Sequence, residues 1–481
     1  MHEDKPPILV AGVGPMPPEM PDRLFAPGLR LWGMARELIR AGHRVRLVSR
    51  QFGGETAGHR YDLVPGQRLR LHESLPLRPA AESDWPPLLA HLARQAGVAA
   101  AAATTDVMNH ALALSGLEVP LWMDYNGDPM AERQMMAMHA GNDEGLAQQW
   151  DLMVPALARA DRLSGCSTQQ CAALLGQLGA IGRLNRHTAT EQLVHRMTPW
   201  LEALPVDVDA EGPFKTVGVP DDAFVVLQTG GFNTWLDVET LFDALERAME
   251  GDPSIHFAAT GGAIPGHHAT AFKWFERAVA ASRFRHRYHL LGWLPLGQVP
   301  RVMHEAHLGL NLDLACPEGW LGCRNRVIAW VLGGLPVVTT PGCELVGELA
   351  ADGMAELTPH GDGAAAAERI LAAARRGPPR PGERRERTRY MQEHYDASRC
   401  LEPFLKWAAQ PKPASDLQAW TTGAAAKPGL LMRATETARW DVERRRQAQK
   451  LGRLQQKLDR LQGSRWVRLA LRLRGRHGMD T

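Results

Sequence analysis

Residues 304–348, HEAHLGLNLDLACPEGWLGCRNRVIAWVLGGLPVVTTPGCELVGE, constrain the fold more than any other stretch of the chain. The apolar run 307–314 has the length of a buried strand, and so does Val337-Val338-Thr339 after Gly-Leu-Pro. Between them, residues 324–332 are amphipathic and of helical length. A loop carrying Glu318, Arg324, Asn325 and Arg326 precedes or opens that helix. A second helix starts near residues 341–342, because Glu344, Leu345, Val346, Glu348 and Leu349 fall at helical spacing. Strand, charged loop, helix, strand and helix N-terminus are parts of a parallel α/β sheet whose carboxyl edge offers a place to an anion. Arg324 and Arg326 at a helix start fit a phosphate contact or a surface ion pair equally in kind.

The rest of the chain repeats this alternation. Residues 8–12 read as a strand that runs into a Gly- and Pro-rich loop, 12–27, containing Gly14. Residues 28–41 read as an amphipathic helix stopped by Gly42, and 45–49 as the next strand. The loop lacks GxGxxG, so no dinucleotide fingerprint is present. Residues 90–114 are Ala-rich and predict a helix. Residues 119–123 predict a strand that ends in Asp124-Tyr125-Asn126-Gly127-Asp128. Carboxylates just past a strand end sit where open α/β sheets hold ligands; the same residues also fit an Asn-Gly turn with Asp128 as a helix N-cap. From Phe224 the pattern restarts, with a strand at 224–228 entering Thr229-Gly230-Gly231-Phe232-Asn233. Two α/β halves with glycine-bearing loops at strand ends predict facing sheets with a small-molecule cleft between them. The organisation expected is 1–210 and 211–383 as two Rossmann-like domains and 384–409 as a helix packing back on the first. Residues 410–429 follow as a Pro/Gly/Ala-rich linker, and 430–481 as a basic tail.

Chain-wide charge is uninformative, but its distribution is not. Between residues 439 and 476 thirteen Lys/Arg stand against three Asp/Glu, an excess of +10 in a chain whose total is +2. The tail also carries Leu451, Leu454, Leu458 and Leu461 at heptad spacing, followed by Trp466 in a basic segment. That composition fits an interfacial helix on an anionic membrane, or a partner-binding helix. Charge confined to one helix without an aromatic platform argues against nucleic acid. The six cysteines show no paired metal-ligand spacing, so reduced thiols, no metal and a cytoplasmic setting are expected. No run of about 18 apolar residues spans a bilayer, and the start lacks a signal-peptide pattern.

Several segments together resemble the GT-B glycosyltransferases of the family-4-like, retaining type, and most closely the bacterial lipopolysaccharide and O-antigen assembly enzymes. The carriers are Pro27-Gly28-Leu29-Arg30-Leu31-Trp32, Asp124 through Glu132, Gly182-Arg183-Leu184-Asn185 and the segment from Gly230 to Asp237. Glu318 with Arg324-Asn325-Arg326 and Gly334-Leu335-Pro336-Val337-Val338 completes the set, and the likeness runs over residues 8–408. It implies transfer of a sugar from a nucleotide-sugar to a glycan or lipid-linked acceptor in cell-surface polysaccharide synthesis, without a cofactor. Gly230, Gly231, Asn233, Asn325, Thr340 and Gly342 would line the donor diphosphate, with glycine leaving room for backbone amides. Arg324 and Arg326 would neutralise the leaving group. Glu318, Arg326 and Asp124 would be catalytic, and Gly14, Arg30 and Asp128 would lie on the acceptor side. In such enzymes leaving-group stabilisation outweighs a dedicated base.

The chain departs from the family at two points. Many members carry a ribose-contacting acid seven residues before the proline, where Ala329 stands here. The basic pair after the glycine-rich strand is missing from residues 232–241. Those departures keep a catalytically silent interaction module open as an alternative, with a sugar-nucleotide epimerase behind it.

Overall fold

The computed structural model describes residues 5–19, 25–51, 58–67, 73–75, 82–202, 206, 212–264, 269–424, 426–427 and 429–463. The first sheet contains β1 (Ile8–Val13), β2 (Val45–Arg50), β3 (Gly58–Leu63) and β4 (Glu73–Leu75). It continues with β5 (Ala100–Thr104), β6 (Leu121–Tyr125), β7 (Arg162–Gly165) and β8 (Val194–Arg196). Their order is β4-β3-β2-β1-β5-β6-β7-β8, parallel except where β3 pairs with β2 and β4. The second sheet holds β9 (Phe224–Gln228), β10 (Ile255–Thr260), β11 (Tyr288–Gly292), β12 (Leu308–Asn311), β13 (Val337–Thr339) and β14 (Glu356–Leu357). Its order, β11-β10-β9-β12-β13-β14, is the doubly wound arrangement with the strand order reversing between β9 and β12.

Each central strand is apolar on both faces because helices cover both. All five residues of β9 and all six of β10 are buried. That double burial decides a large departure from the sequence reading, at residues 90–114. Helix Trp85–Ala96 ends at Gly97, whose φ of 61° stops it. Residues 100–104 then form β5, between β1 and β6. Alanine prefers a helix in isolation, but here its small side chain suits a central strand crowded on both faces, and tertiary packing overrides propensity.

The C-terminal segments also differ from expectation. Residues 384–409 are not one helix: Pro381–His394, Ala397–Cys400 and Glu402–Ala409 follow one another. Pro381–His394 packs on helix Asn325–Leu332 of the second domain. Phe404 and Trp407 reach the first domain, their ring centroids 5.4 and 5.5 Å from that of Trp122. Residues 410–424, read as linker, instead strap across the first domain. Arg183 Nε and Asp416 Oδ2 are 2.6 Å apart with both side chains fully buried, and the Ala414 N–H donates to Asp161 Oδ1 at 2.7 Å. Polar composition suggested a spacer; two buried charges made it structure.

Helix Gly429–Gly463 begins against helix Glu144–Arg159, with Leu431 buried. Farther along, Trp440, Leu451 and Leu454 are exposed. The basic segment from 464 onward, with Trp466, lies outside the described residues. No helix among the described residues is long and apolar enough to cross a membrane.

Candidate functional site

The carboxyl ends of both sheets face one cleft, and contacts across it bring the domains together. The Thr168 N–H donates to Glu344 Oε2 at 2.7 Å, Arg196 pairs with Glu344 and Glu348, and His139 Nε2 lies 2.8 Å from the Thr234 carbonyl. Helix Pro129–Ala140 packs on Pro317–Leu321 of the opposite domain.

On the second domain the strand ends supply the site's floor. Gly230 follows β9 with φ 82°, and a Cβ there would meet nothing within 4 Å, so the backbone conformation calls for glycine. At Gly231 a Cβ would come within 2.3 Å of Ile264 Cδ1, so a side chain there would require Ile264 to move. Gly261, after β10, abuts the Gly230 carbonyl, leaving 2.3 Å to a Cβ. Asn233 accepts the Leu236 N–H through its backbone carbonyl. Gly342, beyond β13, runs against the backbone of Gly319. Thr340 is buried, and its Oγ1 accepts the Asp313 N–H at 2.9 Å.

The two arginines of the charged loop have different environments. Arg324 is held by three hydrogen bonds, Nε to Asp313 Oδ2 at 2.5 Å and Nη1 and Nη2 to Glu318 at 3.0 and 2.6 Å. Its guanidinium lies 5.3 Å from the Trp235 ring centroid. Burial pulls its pKa down, but Asp313 and Glu318 more than offset that and carry it well above the ordinary value. Both oxygens of Glu318 point at Arg324 rather than into the cleft. Asn325 opens helix Asn325–Leu332, and Arg326 follows it.

Arg326 has no carboxylate partner among the described residues. Its Nη2 donates to the Gly231 carbonyl at 2.7 Å, and its Nη1 faces the Gln228 amide, whose oxygen accepts from it once the amide is oriented with its nitrogen donating to the Leu310 carbonyl at 2.7 Å. Burial pushes its pKa down to about 10; Asp313 works against the fall, Arg324 adds to it, and Glu318 opposes it more weakly. Its hydrogen-bond partners are thus neutral, and the nearby carboxylates Asp313 and Glu318 are hydrogen-bonded to Arg324 instead.

On the first domain the expected pair Arg30 and Asp124 lies in the core. Asp124 falls inside β6, not past its end. Arg30 grips it at 2.9 and 2.8 Å and also donates to the Met197 carbonyl, while Thr104 and Ser164 donate to the same carboxylate. Both are buried, with relative exposures of 3% and 0%, and in this arrangement neither reaches the cleft. Gly14 packs against Ser49 Oγ and Gln51 under the β1 loop, where Glu19 accepts from both. Asp128 caps helix Pro129–Ala140 by accepting the Ala131 N–H at 2.9 Å, and its Oδ2 has no hydrogen-bond partner among the described residues.

Several groups facing the cleft were not singled out from sequence. Asp313 closes the Arg324 cluster and stands just past β12, where the strand-end rule places a ligand-side carboxylate. Glu132 points from helix Pro129–Ala140 toward Glu318, and burial, then Glu318, Asp106 and Asp128, push its carboxyl up to about 8. Gln228, inside a strand, carried no signal.

Two Rossmann-like domains whose sheet edges meet at one cleft define the GT-B architecture, and that is the fold of this chain. No protein-family model and no curated protein sequence matches it. Solved structures with the same fold include Anabaena HepE in complex with UDP and glucose, at TM-score 0.57 and 15% identity over 84% of this chain and 99% of that one. Sucrose-phosphate synthase from Thermosynechococcus elongatus is similar at TM-score 0.60 and 15% identity, covering 85% and 100%. The UDP-forming α,α-trehalose-phosphate synthase from Burkholderia vietnamiensis follows at 0.55 and 14%, covering 84% and 99%. At these identities the likeness is one of fold.

Proposed function

We propose that the chain is a glycosyltransferase that takes a sugar from a nucleoside-diphosphate sugar and transfers it to a hydroxyl of a glycan or lipid-linked acceptor. Arg326 carries the reading. It is a buried cation whose hydrogen bonds go to neutral groups, beside a glycine loop at the β9/β12 crossing, where α/β sheets hold nucleotides. As the bond from the sugar to the diphosphate breaks, negative charge builds on the departing oxygen, and a guanidinium already in place stabilises it without reorganisation. Arg326 then takes the part that a divalent cation plays in other diphosphate sites, and we expect neither metal nor cofactor. Arg324, held by Asp313 and Glu318, positions the loop that carries Arg326. The same fold in proteins solved with UDP and glucose supports the donor class.

The retaining, family-4-like type and a place in lipopolysaccharide or O-antigen assembly rest on the sequence motifs. A cytoplasmic enzyme whose basic tail rests on an anionic membrane surface would meet a lipid-linked acceptor there. Flotation of the full chain and of one ending at residue 429 with anionic vesicles tests the tail, and equal flotation would remove it from the proposal. The donor reading is tested by thermal shift of the full chain against UDP, GDP, ADP, CMP and dTDP. Stabilisation by one diphosphate class is expected. No shift with any of them would leave a silent module as the better account.

A further inference from the structure

Three loops carrying cysteines converge where the domains meet. Cys166 follows β7 on the first domain; its Sγ donates to the Leu321 carbonyl at 3.3 Å, and Ser167 Oγ donates to the same oxygen at 3.3 Å. On the second domain Cys323 stands just before Arg324, and Cys343 is the N-cap of helix Glu344–Ala351. The segments bearing these two cysteines run against each other, since a Cβ on Gly342 would come within 3.0 Å of the Gly319 carbonyl oxygen. Both side chains pack in the apolar cluster that holds Val327 and Val331, Cys343 buried and Cys323 partly exposed. Their thiols meet there, with the Cys323 S–H donating to the Cys343 sulfur.

The six cysteines are not equivalent. Burial pushes up the thiols of Cys166, Cys171, Cys316 and Cys400. Cys323 is raised too, first by the hydrogen bond that it gives to Cys343 and then by burial. Cys343 is lowered. The Cys323 hydrogen bond lowers it most; burial and Asp313 oppose this, while Arg324 and the Val346 amide at the helix start favour the thiolate. When a sulfur disposed to ionise touches a second thiol, oxidation of the first leads to a bond between the two. The donor reading uses neither of them.

We propose that Cys323 and Cys343 form a reversible redox-modification site, whose disulfide, made by a hydroperoxide, weakens the hold of the Arg324–Arg326 loop on a diphosphate. The Cys343 thiolate attacks the O–O bond of the peroxide, so that an S–O bond forms and hydroxide leaves to become water. The Cys323 sulfur then attacks the Cys343 sulfur. The S–S bond forms, the S–O bond breaks, and the Cys323 proton departs with the hydroxide as a second water. Two thiols are oxidised and one peroxide is reduced, and a dithiol reverses the bridge by exchange. Bonded sulfurs stand about 2.05 Å apart, closer than hydrogen-bonded thiols, so the bridge draws Cys323 towards the helix and moves Arg324 with it. The consequence for the loop rests on the donor reading above; the bridge itself does not.

The test treats the reduced full chain with hydrogen peroxide, blocks the remaining thiols, and maps peptides by mass spectrometry without reductant. Peptides joined through Cys323 and Cys343 are expected before any other cysteine is modified. In Cys323→Ser a 1,3-diketone probe should label Cys343 as its sulfenic acid, and in Cys343→Ser the Cys323 thiol should survive. Calorimetric titration with UDP, GDP, ADP, CMP and dTDP then compares the reduced and bridged chains. The nucleotide that binds the reduced chain should bind the bridged one more weakly by about tenfold or more, because displaced positioning groups cost affinity of that order. Dithiothreitol should restore the affinity, and Cys343→Ser should bind alike with and without peroxide. Earlier oxidation at another cysteine, a bridge to Cys166 or Cys316, no bridge in a chain that stays folded by circular dichroism, or unchanged affinity in the bridged chain would overturn the proposal. If the reduced chain binds no nucleotide, the donor reading falls and the bridge's effect on it falls too, while the peptide map still decides the redox site.

Discussion

Replacing Arg326 with alanine should separate binding from stability. The fall of its pKa from 12.5 to about 10 corresponds to roughly 3 kcal/mol held against the charged form by burial. A diphosphate oxygen brought to Nη1 or Nη2 recovers energy of that order, because charge-assisted bonds are worth about 1.5–3 kcal/mol. Arg326→Ala should therefore weaken nucleoside diphosphate binding by about a hundredfold. Its melting temperature should stay level or rise, since an uncompensated charge has been removed. Arg324→Ala is the control with the opposite stability signature. It strands Asp313 and Glu318, each of which faces Arg324 at 2.6 Å or less, and should cost about 3–5 kcal/mol of folding free energy. Titration calorimetry gives the affinities and urea unfolding the stabilities. If Arg326→Ala binds within threefold of the parent, or loses as much stability as Arg324→Ala, the two arginines do not have the separate roles argued here.

Three further outcomes follow from the same structure. Glu132 is protonated in the folded chain up to about pH 8 but ionises near 4.5 once unfolded, so its stabilising contribution is complete below 4.5 and is lost as pH rises to 8. Glu132→Gln should flatten the pH dependence of urea stability across that window by up to about 5 kcal/mol, and an unchanged slope would contradict the burial of this carboxyl. Arg183→Leu leaves Asp416 charged and buried without its partner; it should lose about 3–5 kcal/mol, and adding Asp416→Leu should restore much of that in a double-mutant cycle. Thr105→Gly relieves a positive φ and should gain about 1 kcal/mol in denaturant unfolding, whereas a loss would show that the threonine side chain contributes more than its backbone strain costs.

The strand-and-helix alternation was legible because burial writes it into the sequence. The largely apolar run 224–228 coincides with β9, and Gly42 and Asp128 mark helix ends through backbone freedom and capping. What misled was local preference set against context. The alanines of β5 prefer a helix alone and become a strand only between two neighbours. The polar stretch around Asp416 reads as a spacer until Arg183, over two hundred residues earlier, is placed beside it.

The division is sharpest among the charged residues. Sequence by itself determined that Glu318, Arg324 and Arg326 stand at a helix start beside a parallel strand's end, because those neighbours are close in the chain and obey local geometry. It also determined two α/β halves, through the repeat of apolar runs and glycine loops. Only the tertiary structure decided which charges pair with one another and which does not. Arg30 meets Asp124 across 94 residues and becomes core. Arg324 meets Asp313 and Glu318 and becomes a brace. Arg326, two residues on, hydrogen-bonds to carbonyl oxygens. Pairing energy depends on distance and burial in three dimensions, and neither is a property of the residue's own neighbourhood in the chain.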